Sequence, residues 1–241
     1  DGGDGVSTVD YAWDDEAGGH AGVSVNLSTG TAIDGFGSTD TLVSIENVRG
    51  TEENDLFVGD GNDNRFEGGG GFDSVDYANT TGSIVFSVPG NAQVTGDASV
   101  GTDMLIGIER VFGGNGSDTF TVTGSGFFEI EGGGGVDQII GNGNTRIGYS
   151  RAAVGVTVDL AAGTAIDGQG GVDIVSNISQ VRGSAHDDTL IGGGLNFESF
   201  RPGAGDDNVN GGSGTDRIDY QFDPGAVTVD LAAGTALDGY G

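Results

Sequence analysis

The residues best suited to chemistry in this sequence are aspartates that recur at fixed distances. Asp55 and Asp73 are 18 residues apart, Asp118 and Asp137 are 19 apart, and Asp188 and Asp207 are 19 apart. Asp216 follows Glu198 by 18. Asp40, Asp103 and Asp173 precede Asp55, Asp118 and Asp188 by 15 each, a constancy that suggests a shortened coil extending the same carboxylate column. Carboxylates repeating once per turn of a coiled chain stack above one another and present only oxygen. A cation that takes six to eight oxygens at about 2.3–2.6 Å suits such a column, which favours Ca²⁺, several ions of it, over Mg²⁺, which demands octahedral geometry and keeps its waters. There is no cysteine, and His20 and His186 are the only histidines. Zinc and copper therefore lack a ligand set.

The elements that must position these aspartates are short. GGGGFDSVD at 68–76, GGGGVDQII at 132–140 and GGSGTDRID at 211–219 share the pattern G-G-x-G-x-D-x-U-x, with U apolar and the acid sixth. Looser units in the same register are GTEENDLFV (50–58), GDGNDNRFE (59–67), GGNGSDTFT (113–121), TGSGFFEIE (123–131), GSAHDDTLI (183–191), GGLNFESFR (193–201) and PGAGDDNVN (202–210). In GGDGVSTVD (2–10) Ser7 stands where the acid belongs, so no site is assigned there. The Gly-rich half turns sharply and leaves carbonyls bare. The x-U-x half forms a strand of about three residues with U inward. Two nonapeptides close one flattened coil, so alternate acids stack about 4.8 Å apart. Phe57, Phe66, Val75, Phe120, Ile130, Ile139, Leu190, Phe200, Val209 and Ile218 are the expected inward residues.

A longer period of about 70 residues overlies the nine. TVDYA (8–12) returns as SVDYA (74–78), RIGYS (146–150) and RIDYQ (217–221). VNLSTGTAIDGFG (25–37) returns as VDLAAGTAIDGQG (158–170) and VDLAAGTALDGYG (229–241), and SIENVRG (44–50) as GIERVFG (107–113) and NISQVRG (177–183). Copy two is the most degenerate, with SIVFSVPGNAQVTG at 83–96. The expected organisation is one elongated array over 1–241, with long repeats near 4–69, 70–141, 142–212 and a partial 213–241. GVSVNL (22–27), GVTVDL (155–160) and AVTVDL (226–231) alternate apolar and polar residues and read as strands with one buried face. A continuous coil with longer outer turns is the reading adopted for these segments, and a hairpin flap between cassettes is the alternative.

The in-register nonapeptides resemble the RTX, or haemolysin-type, calcium-binding repeat. That resemblance implies an all-β fold, a right-handed parallel β-roll or β-solenoid, that binds several calcium ions. It also implies type I secretion, although the uncleaved C-terminal signal of that route is not among these residues.

Composition narrows the field. Asp and Glu number 37, of which 28 are Asp, against 8 Arg and no Lys, for a net charge of −29. Nucleic acids and anionic membranes need basic patches, so neither is an expected partner. No run of 18 apolar residues exists to span a bilayer. A disordered acidic tail would lack the 35% hydrophobic share, and a halophilic surface would not concentrate Asp at turn positions. Gly is 51 of 241 with only 3 Pro and no triplet period, which excludes collagen and disfavours helix. Without disulfides, a bound metal is the available staple. The sequence opens at DGGDGV and stops at LDGYG, both mid-pattern, and is read as a slice of a longer array.

Catalysis is not expected. A glycosidase acid pair would not recur in every copy. Neither histidine has a repeated counterpart, and no G-x-S-x-G elbow occurs. Trp13 and the tyrosines read as packing residues, and Arg49 and Arg182 as partners of nearby acids. The expected function is that of an extracellular calcium-binding structural module, part of a large secreted adhesin, surface-layer or filament protein of a Gram-negative bacterium, with copies of itself as the further partner. The alternative is the calcium-folded secretion module of a type I-secreted protease, lipase or epimerase.

Overall fold

The computed structural model describes residues 1–14, 18–88 and 92–240. Residues 89–91 of the degenerate segment and Gly241 of the last repeat lie outside them. Every regular element among the described residues is a β-strand, 26 in all and mostly three residues long. The chain divides into two compact units, Asp1–Gly133 and Gly134–Gly241.

In the first unit, sheet I contains, in spatial order, β1 (Thr8–Asp10), β5 (Asn47–Arg49), β7 (Arg65–Glu67), β11 (Thr102–Ile106), β10 (Ala92–Thr95), β9 (Val85–Ser87) and β13 (Thr119–Thr121). Sheet II runs β14 (Phe128–Glu131), β12 (Arg110–Phe112), β8 (Ser74–Asp76), β6 (Leu56–Val58), β2 (Ser24–Asn26), β3 (Thr31–Ile33) and β4 (Thr39–Thr41). Successive nonapeptides alternate between the sheets: β6 lies in II, β7 in I, β8 in II. Nonapeptides two apart therefore pair in parallel, with Phe57 opposite Val75. The U side chains fill the interior. Phe57, Phe66, Val75, Phe120 and Ile130 are fully buried, and the Phe57 and Phe66 rings stack at 5.4 Å.

In the second unit, sheet III runs β15 (Gln138–Ile140), β19 (Asp173–Ser176), β18 (Thr164–Ile166), β17 (Thr157–Asp159), β21 (Thr189–Ile191) and β23 (Asn208–Asn210). Sheet IV runs β24 (Arg217–Ile218), β22 (Ser199–Arg201), β20 (Gln180–Arg182) and β16 (Thr145–Gly148), and β25 (Thr228–Asp230) pairs with β26 (Thr235–Leu237). Ile139, Leu190 and Phe200 are buried as expected. Val209 is only half-buried and Ile218 is 43% exposed, because β23 and β24 are the last strands of their sheets and nothing is laid over them.

One expectation fails. The segments following each Tyr form antiparallel meanders, β2–β3–β4, β9–β10–β11 and β17–β18–β19, and not a coil with longer turns. The hairpin alternative is the one observed, and it lies within the sheet. The reversal occurs at Gly30 and Gly163, whose φ angles of 64° and 72° only glycine adopts without cost. The first strand of a meander pairs in parallel with the following cassette, as β2 with β6, β9 with β13 and β17 with β21. The third strand pairs with the preceding cassette, as β11 with β7 and β19 with β15. The buried face expected for GVSVNL and GVTVDL is present at Val23, Val25, Val156 and Val158. The third copy departs from it: Val229 is 51% and Leu231 90% exposed. After each meander the chain re-enters the coil through one left-handed residue at equivalent places in the repeat, Ser44 (φ 53°), Gly107 (φ 61°) and Asn177 (φ 54°).

Candidate metal centre

Asp55, Asp73, Asp103, Asp118, Asp173, Asp188, Asp207 and Asp216 each sit immediately before, or within, a short strand, and one oxygen of each accepts the backbone N–H of the equivalent residue one rung away. Asp55 N–H donates to Asp73 Oδ1 at 2.8 Å, Asp188 N–H to Asp207 Oδ1 at 2.8 Å, and Glu198 N–H to Asp216 Oδ1 at 3.2 Å. These are three of the pairs expected from spacing. Asp118 belongs to the first unit and Asp137 to the second, so each is described with its own. Asp118 Oδ1 accepts Ile84 N–H at 2.9 Å and Oδ2 accepts Gly114 N–H at 2.8 Å. Asp137 donates its N–H to Asp173 Oδ1 at 2.9 Å.

Asp40, Asp103 and Asp173 do not sit on the rungs assigned to them. They were expected to extend the columns of Asp55, Asp118 and Asp188. The meander places two strands between: β10 and β9 separate Asp103 from Asp118, and β18 and β17 separate Asp173 from Asp188. Asp103 instead meets Asn64, whose N–H donates to its Oδ1 at 2.9 Å, and Asp173 meets Asp137. Asp40 lies on β4, at the end of sheet II, and its Oδ2 accepts the Tyr11 hydroxyl at 3.1 Å. Tyr77 makes the same contact with Asp103 Oδ2 at 2.7 Å.

Glu46 and Glu109 were missed. Both occupy the acid position: Glu46 Oε2 accepts Ser7 N–H at 2.7 Å, and Glu109 Oε2 accepts Asp73 N–H at 2.9 Å. The signal was present, since each stands two residues before an apolar strand centre, Val48 or Val111, as Asp73 stands before Val75. The absence of the Gly-rich half concealed it. The result in sheet II is a column Asp55–Asp73–Glu109, closed off at the next rung by Phe128 in the acid position.

The members of the column are not equivalent. Asp55 is held by Thr51, which donates its N–H to Oδ2 at 2.7 Å and its hydroxyl to Oδ1 at 3.0 Å, and by Val23 N–H at 2.7 Å. Ser184 and Val156 hold Asp188 in the same way. These two carboxylates tie turns together. Asp73 differs: it is fully buried and its Oδ2 has no hydrogen-bond partner. A buried carboxylate oxygen left unpaired is costly. Burial pushes the Asp73 carboxyl up to about 7, with the Asp55 and Glu109 charges adding to the rise and the Asp55 N–H opposing it. Asp103 is also raised to about 7 by burial, against the hydrogen bonds from Tyr77 and Asn64. Burial raises Asp173 and Asp207 to about 6, and pushes Asp118 and Glu198 upward as well.

No family model matches this chain, and no curated protein does. The chemistry of the site rests on its own geometry.

That geometry includes a cradle that only glycine permits. A Cβ on Gly68 would lie 2.1 Å from Asp73 Oδ2 and 2.2 Å from the Gly107 carbonyl oxygen, and one on Gly50 would lie 1.9 Å from Asp55 Oδ2 and 2.6 Å from the Gly68 carbonyl. The arrangement repeats at Gly183, between Asp188 Oδ2 and the Pro202 carbonyl, and at Gly113, between Asp118 Oδ2 and the Gly132 carbonyl. Each of these four glycines thus clears a space walled by one carboxylate oxygen and one carbonyl of the next rung. Among the described residues no three His, Asp or Glu side chains converge on one point, so carbonyls must complete any cage. The donor set, anionic and neutral oxygen without nitrogen or sulfur, fits a hard cation.

Proposed function

We propose that this chain is a calcium-binding, non-enzymatic structural module of the RTX nonapeptide-repeat type, folded as a right-handed parallel β-solenoid. The observation that carries the reading is Asp73 Oδ2: a buried carboxylate oxygen without a partner, beside a glycine-cleared carbonyl. Ca²⁺ supplies the missing charge, and its six to eight ligands at about 2.3–2.6 Å are what mixed carboxylate and carbonyl cradles offer. Asp73, paired with Asp55 on one side or Glu109 on the other and completed by the carbonyls beside them, would hold it in sheet II, and Asp188 with Asp207 in sheet III. Asp118, Asp137, Asp173 and Asp216, with the carbonyls beside them, are the remaining candidates. Asp40 and Asp103, each bonded to a tyrosine hydroxyl, are the weakest.

Calcium would act through linkage. A chain with net charge −29 and 51 glycines resists compaction through repulsion and backbone entropy. Ligand bound only by the folded state adds RT ln(1 + [L]/Kd), about 2.7 kcal/mol per site at a hundredfold excess over Kd. Extracellular calcium modules work at about 10⁻⁴–10⁻³ M. The chain would therefore fold outside the cell and stay extended within it. That behaviour suits a repeat segment of a secreted adhesin, surface-layer or filament protein of a Gram-negative bacterium, with copies of itself as further partners. Calorimetric titration with calcium tests the reading. Binding of several ions, with at least one lost in Asp73→Asn, is expected. No heat and no change in β-sheet circular dichroism up to 10 mM calcium would refute it.

A further inference from the structure

The outward face of sheet III differs from its counterpart in the first unit. In both units a cassette strand pairs with the third strand of a meander, which pairs with the second: β7–β11–β10 and β15–β19–β18. The inward residues match in kind, with Phe66, Leu105 and Val94 buried in one set and Ile139, Val175 and Ala165 in the other. The outward residues do not. Along β7 they are Arg65 and Glu67, an ion pair, preceded by Asp63; the same places in β15 hold Gln138, Ile140 and Val136. Met104 and Gln93 share the row of Arg65, whereas Ile174 and Thr164 share that of Gln138. Thr102 and Thr95 pair one step further in the first unit, and Val172 and Ile166 take those places in the second. Val136 adjoins them, since a Cβ on Gly171 would lie 2.4 Å from its Cγ2. Val136, Ile140, Ile166, Val172 and Ile174 are 37–54% exposed. The first unit forms this lattice with charged and polar residues outside, so folding does not demand aliphatic ones in the second. Exposed aliphatic clusters rimmed by polar residues mark contact surfaces. The three strands also present no outward charge, in a chain with 37 acids and a net charge of −29.

We propose that this face is a contact between copies of the chain, with β15, β19 and β18 of one copy packed outward face to outward face on those of a second. It rests on the reading above, in which copies are the further partner, and names the surface they use. Charge selects the occupant. Two chains of net charge −29 repel wherever their carboxylates approach within the screening distance, about 8 Å at physiological salt. An uncharged face is where they can touch. A basic partner would instead seek the acids and leave the isoleucines unburied. Two sheets stack face to face about 10 Å apart with their side chains interdigitating, and a two-fold axis lets the same aliphatic residues serve both sides. The patch is small, so a single contact is weak and gains strength by repetition along an array.

Sedimentation of the full chain in millimolar calcium, at chain concentrations rising to millimolar, tests this. The mass should double, and added salt should favour the doubled form by screening the repulsion between copies. Gln138→Arg with Ile140→Glu, which installs the ion pair of β7 without changing net charge, should weaken association about tenfold or more. Ile166→Thr with Val172→Thr installs the neutral residues of the first unit and should weaken it as well. Because the first unit folds with these residue types, both variants should keep the circular dichroism of the parent, and either one that does so is a valid reading. A chain that stays monomeric in high salt overturns the proposal and leaves the face to a partner of another kind. Doubling that survives in a folded variant overturns it too. Calcium titration is read apart from mass: absence of calcium binding with doubling retained sinks the calcium reading and leaves the contact standing, and calcium binding by a lasting monomer does the reverse.

Discussion

Two acid clusters on opposite sheets of the first unit solve the same problem differently. In sheet II, Asp55, Asp73 and Glu109 stack on successive rungs, and one oxygen of Asp73 is buried without a partner. In sheet I, Asn64 takes the acid position of its nonapeptide and bonds Asp103, whose other oxygen receives the Tyr77 hydroxyl. Both Asp73 and Asp103 are fully buried, and burial raises both toward neutral pH. The difference is how the charge is met. Sheet I satisfies its acid from within the chain, with an amide and a phenol. Sheet II leaves an oxygen for something from outside. The backbone N–H bond is common to both, from Asp55 to Asp73 and from Asn64 to Asp103, so what separates the two rungs is the tyrosine hydroxyl that only Asp103 receives.

Removing calcium is the strongest way to break the comparison. Excess chelator should abolish most of the β-sheet circular dichroism if sheet II depends on the ion, and a retained spectrum would leave the metal a surface role only. Next in size are paired substitutions. Tyr77→Phe leaves Asp103 short of a donor and should cost about 1–3 kcal/mol with calcium present or absent. Asp73→Asn should instead weaken only the calcium-dependent part of the melting temperature. Equal calcium dependence in the two variants would erase the distinction between the sheets. Asn64→Asp sharpens it: a second carboxylate beside Asp103 should lower stability without metal and add one calcium to the titrated stoichiometry. An unchanged stoichiometry would show that sheet I cannot be converted by charge alone.

A smaller effect is expected from pH. Asp73 and Asp103 have folded values near 7 against an ordinary 3.8. Protonation is tighter in the folded state, so the metal-free fold is favoured in acid, with the full contribution present below about pH 4. That contribution is lost as pH rises through 7, while calcium, bound as proposed, would compete with the proton and bind more tightly over the same range. Melting curves at pH 5 and 8, with and without calcium, should therefore converge in acid. Smallest is the turn that re-enters the coil: Ser44→Gly relieves a left-handed serine at φ 53° and should add about 0.5–1 kcal/mol, seen as a rise in melting temperature. Asn177→Gly should give less, since asparagine tolerates that region better.

Much of the fold was legible because a nonapeptide is almost local. Gly in the turn, an acid in sixth place and an apolar residue two further on place Asp73, Val75 and their neighbours without reference to distant chain. The meanders were not legible as such. TVDLAAGTA alternates as a strand whether its neighbour is parallel or antiparallel, and only pairing decides which. That choice moved Asp103 and Asp173 away from the rungs their 15-residue spacing suggested. Glu109 was hidden for the opposite reason, since its turn, GIE, lacks the glycines that announce the other acids, although its register with Val111 is the same.

By itself the sequence determined the strand unit, the inward residues and the acids that face the turns, because each follows from neighbours within nine positions. Tertiary structure alone decided which oxygens remain unsatisfied. Asp55 and Asp73 match the same repeat position, yet Thr51 and Val23 saturate the first while the second keeps a bare oxygen. Hydrogen-bond saturation depends on which N–H groups arrive from other rungs, and spacing along the chain does not record their direction.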